Sequence, residues 1–288
     1  MKAPSDDFVA PFQIETGAVR GRIARLGPAI DEILSRHAYP GPVAGLLGQA
    51  CALAALVGAS LKFDGRLIVQ AQGDGPVALV VADYDTGGAL RGYCRFDAER
   101  VAAGGPLLGK GAFIMTIDQG PDMDPYQGVT AIEGESLALA AETYFNRSEQ
   151  TPTRVRLAVG QVDTGAGPNW RAGGLLIQNI AEDMARGPTK EAWATAQAHM
   201  ETVADDELVD PTISADDLLW RLFHGEGVRR FSEQPLAAFC RCSDARILAL
   251  LGSFPAEERA DMVEGDGQIR VTCEYCATVY AVAPEAVD

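Results

Sequence analysis

An α+β fold is predicted for this 288-residue chain. An N-terminal mixed α/β domain of β-sheets and packing helices is expected over residues 1–178, a helical linker over 179–232, and a small C-terminal α+β domain over 233–288. Three observations carry that reading. Through the first domain β-like runs follow one another with few helices between them, which argues against regular βαβ winding. After about Asn179 Ala-rich and Asp-rich helical sequence takes over, and four of the six cysteines then gather in the last fifty residues.

Taken in order, Pro42 to Leu61 places small and apolar residues on nearly every helical face, so this helix is expected to be buried, with Cys51 inside it. Arg66 to Gln72 and Val77 to Ala82 are β-like runs joined by Gly73-Asp74-Gly75-Pro76, a hairpin signal. Further strands are expected at Leu90 to Phe96, Ala112 to Ile117, Gly128 to Ile132, Arg154 to Val159 and Gly174 to Gln178, with a helix at Ser136 to Tyr144 among them. In the linker, Glu191 to Ala204 is helical with a thin stripe of Trp193, Met200 and Val203, and Ala196 between. Ser214, with Asp217 three positions on, opens a second helix carrying Leu218, Leu219, Leu222 and Phe223, and Gly225 and Gly227 end it. Short helices with a weak stripe take most of their order from docking on neighbours.

Composition narrows the function classes. Hydrophobic residues make up 47 % of the chain and mean hydropathy is near zero, as in a soluble globular protein. The longest strongly apolar stretch, around Cys51 to Ser60, is shorter than the ~18 residues that span a bilayer, so no membrane partner is expected. Forty acidic against 24 basic residues give a formal charge of −16, which repels phosphate backbones and excludes nucleic acid as an expected partner. Residues 233–288 carry ten acidic and four basic side chains, whereas a zinc-ribbon DNA binder is usually basic. Met1 to Glu15 lacks an apolar segment behind a basic one, so a cytoplasmic location is expected, where thiols stay reduced.

Two phosphate-loop look-alikes fail on context. Gly73 to Ala78 fits G-x-G-x-x-A, but a strand follows where a helix N-terminus is required. Gly104 to Lys110 spells G-x4-G-K, yet Gly111 stands where a Ser or Thr should hold Mg2+. His37, His199 and His224 show no metal spacing, and Cys51 and Cys94 lie in apolar or strand contexts where a free Cys acts as a small hydrophobe. No catalytic constellation stands out, and the chain is not read as an enzyme.

The cysteines are the informative feature. Cys240-Arg241-Cys242 and Cys273-Glu274-Tyr275-Cys276 form a C-x-C and a C-x2-C pair separated by 30 residues, two short chelates that supply four soft ligands to one Zn2+. Cys273 and Cys276 lie between strand-like runs, Gln268 to Thr272 and Ala277 to Val282, so a hairpin turn would aim both sulfurs the same way. A purely structural zinc clip and a disulfide framework with three pairings remain as alternatives. Two others are a constitutive zinc-ribbon interaction or nucleic-acid-binding module, and a thiol-disulfide enzyme using Cys273 and Cys276, although such enzymes place C-x-x-C at a helix start.

Beyond the cysteines, several stretches share a likeness: Leu61-Lys62-Phe63-Asp64-Gly65, Gln70 to Gly75, Gly109-Lys110-Gly111, Tyr126 to Val129, Tyr144-Phe145 with Arg147 to Gln150, Gly173 to Leu176, and Leu219 to His224. In these, and most specifically in the cysteine spacing, the chain resembles over nearly its full length the redox-regulated 33 kDa heat-shock chaperone family, cytoplasmic bacterial holdases. The resemblance implies an ATP-independent chaperone that binds unfolded or aggregation-prone client proteins under oxidative stress. It implies one Zn2+ per chain held by Cys240, Cys242, Cys273 and Cys276 in a reduced, inactive state. It also implies that peroxide or hypochlorous acid, combined with unfolding stress, oxidises these thiolates to Cys240–Cys242 and Cys273–Cys276 disulfides, releases the metal and unfolds the linker. Homodimerisation on activation is a further expectation, and the resemblance requires neither Cys51 nor Cys94.

Overall fold

In the computed structural model, which describes residues 6–120, 122–132, 136–163, 165, 167–180 and 189–287, helix α2 (Gly41–Gly58) is the axis of the first of two units, Met1–Ala238. Two sheets close on it from opposite sides. One has the order β10-β1-β2-β9-β8, from β1 (Phe8–Ile14), β2 (Val19–Leu26), β8 (Thr153–Asp163), β9 (Pro168–Asn179) and β10 (Val228–Arg230), with β11 (Gln234–Pro235) also paired to β1. The other has the order β12-β5-β4-β3-β6-β7, from β3 (Arg66–Gly73), β4 (Val77–Asp85), β5 (Ala89–Phe96), β6 (Gly111–Asp118), β7 (Tyr126–Ile132) and β12 (Ala237–Ala238).

The sequence of α2 explains its place. A helix apolar all round must be covered all round, and Leu47, Cys51, Leu53 and Leu56 are all fully buried. Gly58 lets the Tyr84 ring of β4 lie where a Cβ would come within 2.1 Å of it. By length and composition α2 does reach what is needed to cross a membrane, contrary to the sequence expectation, because Gly41 to Ala50 extend the apolar stretch. Here 78 % of that segment is buried inside the protein, which accounts for its apolarity.

The first sheet is covered on both faces. Val9, Ala24, Leu26, Val155 and Leu176 face the cluster around α2, whereas Phe8, Phe12, Ile14, Ile23, Leu175 and Ile177 face a second cluster. That second cluster is completed by α5 (Thr189–Glu201), α6 (Asp205–Val209) and α7 (Ala215–Phe223), through Ala196, Met200, Leu208, Leu218, Leu222 and Phe223. The Phe12 and Phe223 rings stack at 5.9 Å. The expected stripe and the Ser214 start are both present: Ser214 Oγ accepts from Asp217 N at 3.1 Å. Part of the expected linker, residues 181–188, lies outside the described residues.

Three arginines of this sheet grip the covering helices by their carbonyl ends, where helices leave unpaired acceptors and the negative pole of their dipole. Arg156 donates to Val203 O at 2.6 Å. Arg25 reaches Glu207 O at 3.2 Å and Asp210 O, and Arg171 reaches Val209 O at 2.6 Å while pairing with Asp6. Arg25 and Arg171 are buried.

Remaining helices follow local rules. α1 (Pro28–Ser35) begins on a proline and is capped from a distance, since the Asp7 carboxylate accepts from Gly27 N at 2.9 Å and Ala29 N at 3.1 Å. Short α3 (Ala98–Ala102) is capped by Asp97. In α4 (Leu137–Arg147), Ser136 is the cap rather than the first helical residue. Neither phosphate-loop look-alike presents a free cradle: Asp74 N and Gly75 N donate to Lys110 O and Leu108 O at 3.0 and 3.1 Å, and Lys110 N donates to the Asp74 carboxylate at 2.8 Å. The two loops spend their polar groups on each other, and a Cβ on Gly73 would lie 1.8 Å from Leu108 O.

The second unit, Phe239–Asp288, contains α8 (Asp244–Gly252), α9 (Ala256–Asp261) and one antiparallel hairpin, β13 (Ile269–Thr272) and β14 (Val279–Val282). Among the described residues its buried apolar cluster is Ile247, Leu251, Ile269 and Val282, with Leu248, Met262, Val263, Val271, Tyr280 and Val287 partly buried against it.

Candidate metal centre

The hairpin sets the geometry of the first two thiols. Thr272 pairs with Val279, leaving Cys273 to Thr278 as the turn. Cys273 N donates to Thr278 O at 2.9 Å and Ala277 N to Cys273 O at 2.8 Å. Ala277 adopts φ +57°, a left-handed conformation that costs an L-residue roughly 1–2 kcal/mol. That local strain closes the turn with both sulfurs on one side. Cys240 and Cys242 sit on irregular chain that ends at Ser243, the cap of α8.

All four predicted thiols come together, every Sγ within 4.8 Å of the others. Cys240 Sγ lies 3.6 Å from Cys273 Sγ, and Cys242 Sγ lies 3.3 Å from Cys276 Sγ. A zinc tetrahedron with bonds of about 2.3 Å has edges of about 3.8 Å, so the cluster is compatible with that ion. A disulfide needs about 2.05 Å, and all six cysteines are free.

Charge makes the same case. Burial, with the adjoining sulfurs adding to it, pushes the Cys242 thiol up to about 12 and raises Cys273 as well. Burial opposes ionisation of Cys276 too, but hydrogen bonds from the Thr278 side chain and backbone, and from Cys242 and Cys273, bring it down to about 6. Thr278 Oγ1 is 3.2 Å from Cys276 Sγ, and the Tyr280 hydroxyl bonds to Cys242. Without a cation these surroundings favour the Cys276 thiolate and oppose those of Cys242 and Cys273. An all-sulfur donor set lacking positive charge fits a soft or borderline dication. Thr278 and Tyr280 were not singled out from sequence; the available signal was a pair of hydroxyl residues within four positions of Cys276.

The other candidates stay apart from this centre. Cys51 and Cys94 are buried in the first unit, where burial pushes Cys51 up to about 12 and raises Cys94 further. His37 packs against Tyr39, His199 lies 3.4 Å from Glu226, and His224 stacks on Trp220. Among the described residues the four cysteines are the group placed to hold a metal.

A two-sheet α+β unit followed in the chain by a four-thiol cluster, its C-x-x-C in a hairpin turn, defines a cysteine-clustered, metal-competent protein. The Hsp33 protein family model matches residues 7–283, and the chain belongs to the Hsp33 family of chaperones. It is 66 % identical over 288 residues to the 33 kDa chaperonin of Caulobacter vibrioides, covering 97 % of this chain and 95 % of that one. It is 36 % identical over 279 residues to the 33 kDa chaperonin of Escherichia coli, covering 96 % and 92 %. The crystal structure of the Thermotoga maritima 33 kDa chaperonin, at 23 % identity, shares the fold with a TM-score of 0.79 over 98 % of this chain and 96 % of that one.

Proposed function

We propose that this chain is a redox-regulated, ATP-independent holdase of the cytoplasm whose clients are unfolding proteins, and whose reduced, Zn2+-bound form is inactive. The observation that carries the reading is the pairing of four converged thiols with a small apolar core, in which four aliphatic side chains are buried among the described residues. A unit of about 50 residues with so little apolar burial depends on a staple. Cys240, Cys242, Cys273 and Cys276 are the residues assigned to hold the ion. Bound Zn2+ keeps the four sulfurs deprotonated, the form that oxidants attack.

Oxidation then acts on the chain's own sulfurs. Each disulfide forms as two thiolates give two electrons to one peroxide, which takes up two protons and leaves as two waters. Two peroxides therefore convert four thiolates into the Cys240–Cys242 and Cys273–Cys276 disulfides carried over from the family. The cysteines let go of the ion, and the second unit loses roughly 10 kcal/mol or more of apparent folding free energy. Residues 189–238 run directly into this unit. Their release uncovers Phe12, Ile14, Ile23, Leu175 and Ile177 on the sheet and Met200, Leu218 and Phe223 on the helices, apolar surface of the kind that captures unfolded chains.

The test is zinc content and free-thiol count before and after peroxide at raised temperature, read beside aggregation of a denaturing client. One zinc per chain should leave with four thiols, Cys51 and Cys94 should remain titratable after denaturation, and client aggregation should be suppressed only afterwards. Equal suppression before and after oxidation rules out the switch.

A further inference from the structure

The edge of β1 is the feature with unused binding capacity. Residues Glu226 to Leu236 form a strap along it, held by main-chain hydrogen bonds and, at Val228, Arg230, Gln234 and Leu236, by side-chain contacts as well. Glu15 N donates to Gly227 O at 2.8 Å, Phe231 N to Pro11 O at 2.8 Å and Leu236 N to Asp7 O at 2.7 Å. Gln13 pairs with Arg229 and Val9 with Gln234. Alternation along a strand therefore turns the polar groups of Asp7, Val9, Pro11, Gln13 and Glu15 toward the strap. Of the strap's own side chains only Leu236 is buried. With Arg229, Phe231, Ser232, Glu233 and Pro235 exposed, a large part of this pairing reads backbone, which suits an occupant of varied sequence.

Two other sheet edges are blocked by side chains. On β8 the Val155 N–H is taken by the Glu142 carboxylate at 2.8 Å, and on β5 the Cys94 N–H is taken by the Tyr39 hydroxyl at 3.1 Å. Strand β7, with Tyr126 and Val129 exposed, ends the second sheet independently of the strap. The strap covers β1 over Val228–Arg230 and Gln234–Pro235, and the same chain then pairs for two residues with β5 through β12 before it enters Phe239 and the cysteine unit.

We infer that the β1 edge, once its strap peels away, docks an extended segment of unfolded client by adding it as a short strand to the sheet. The inference rests on the proposed redox reading for the departure of the strap. The seat is already shown to accept an extended, antiparallel segment, because the chain's own strap occupies it. Main-chain hydrogen bonds supply affinity in such strand addition, and alternate side chains fall over one face. Here that face carries Phe8, Ala10, Phe12 and Ile14. Pro11 has no N–H to offer outward, so the edge is split into two short runs, and endless sheet-to-sheet pairing is prevented.

The test is residue-resolved amide hydrogen exchange of the full chain in three states: reduced, oxidised, and oxidised with saturating reduced and carboxymethylated α-lactalbumin as a permanently unfolded client. The amides of Val9, Gln13 and Glu15 should exchange about tenfold faster after oxidation and slow again about tenfold when client binds. A synthetic peptide of residues 226–236 should compete with client, and the same peptide N-methylated at Phe231 and Leu236 should not. If client is captured while these amides stay fast, or if protection appears at Gln127 and Val129 of β7 instead, this inference is overturned and the proposed function stands. If oxidation neither frees these amides nor yields client capture, the redox reading falls and this inference with it.

Discussion

Residues up to Ala238 bury Phe12, Leu53, Phe113 and their neighbours in two apolar clusters, whereas residues from Phe239 onward bury four aliphatic side chains beside four sulfurs. Apolar burial is indifferent to oxidants, because no electron transfer alters it. A sulfur cluster is not, since its ligands are the atoms that oxidants attack. The cluster around α2 is consequently built for persistence and the second unit for conditional persistence. Burial pushes both Cys51 of the first unit and Cys242 of the second up to about 12, whereas Thr278 and the sulfur neighbours bring Cys276 down to about 6.

The largest expected effect breaks the second region while leaving the α2 core of the first intact. Cys273→Ser removes one soft ligand, and zinc binding in such units carries roughly 10 kcal/mol of folding free energy. Residues 239–287 should lose amide protection and zinc content should fall, with α2 still fully protected. Persisting protection of 239–287 in the metal-free variant would show that its small core suffices and would erase the contrast.

An intermediate effect lies at the cover of the first sheet. Phe223→Asp deletes a fully buried ring and places a carboxylate against Phe12, a loss of about 4 kcal/mol or more. Residues 189–224 should exchange freely and the reduced chain should capture client without oxidant, while zinc content stays at one per chain. Retained protection at 189–224 would mean that the arginine grips, not the apolar contact, hold these helices.

The smallest effect concerns a surface tie between α7 and the strap. Arg230 Nε and Nη2 bond both carboxylate oxygens of Asp216 at 2.6 and 3.0 Å, and hold its carboxyl below the ordinary 3.8. A depressed carboxyl contributes stability that is fully present above 3.8 and lost as pH falls through the lower folded value. Asp216 is 65 % exposed, so the pair is worth only about 0.5 kcal/mol. Asp216→Asn should shift the exchange of Phe231 N–H by about twofold at pH 6 and leave it unchanged at pH 2.5. An equal shift at both values would assign the effect to something other than the charge.

What could be read from the sequence divides along the same physical line. The cysteine quartet was fully legible because metal ligation demands particular residue types at short spacing, and α2 was legible because Gly, Ala and Leu leave no polar face. The β3–β4 hairpin followed from its turn residues. β1 and β2 were not recognised: Pro11 interrupts one, and Arg20, Arg22 and Arg25 disguise the other until Arg25 is seen gripping a helix end. α1 was missed because its cap is Asp7, 20 residues before Gly27. The strap was invisible for a related reason, since its partners on β1 are more than two hundred residues away and only Leu236 among its side chains is fully buried.

That separation along the chain has a consequence for synthesis. Translation delivers β1 and β2 first and residues 189–238 nearly last, so the growing polypeptide holds a finished strand pair whose cover has not yet been made. Every newborn copy passes through a stage with the Phe12 face open while still attached to the ribosome. Over residues 1–188 acidic side chains exceed basic ones by only five, 21 against 16, so like copies repel one another less during that interval than the finished chains do.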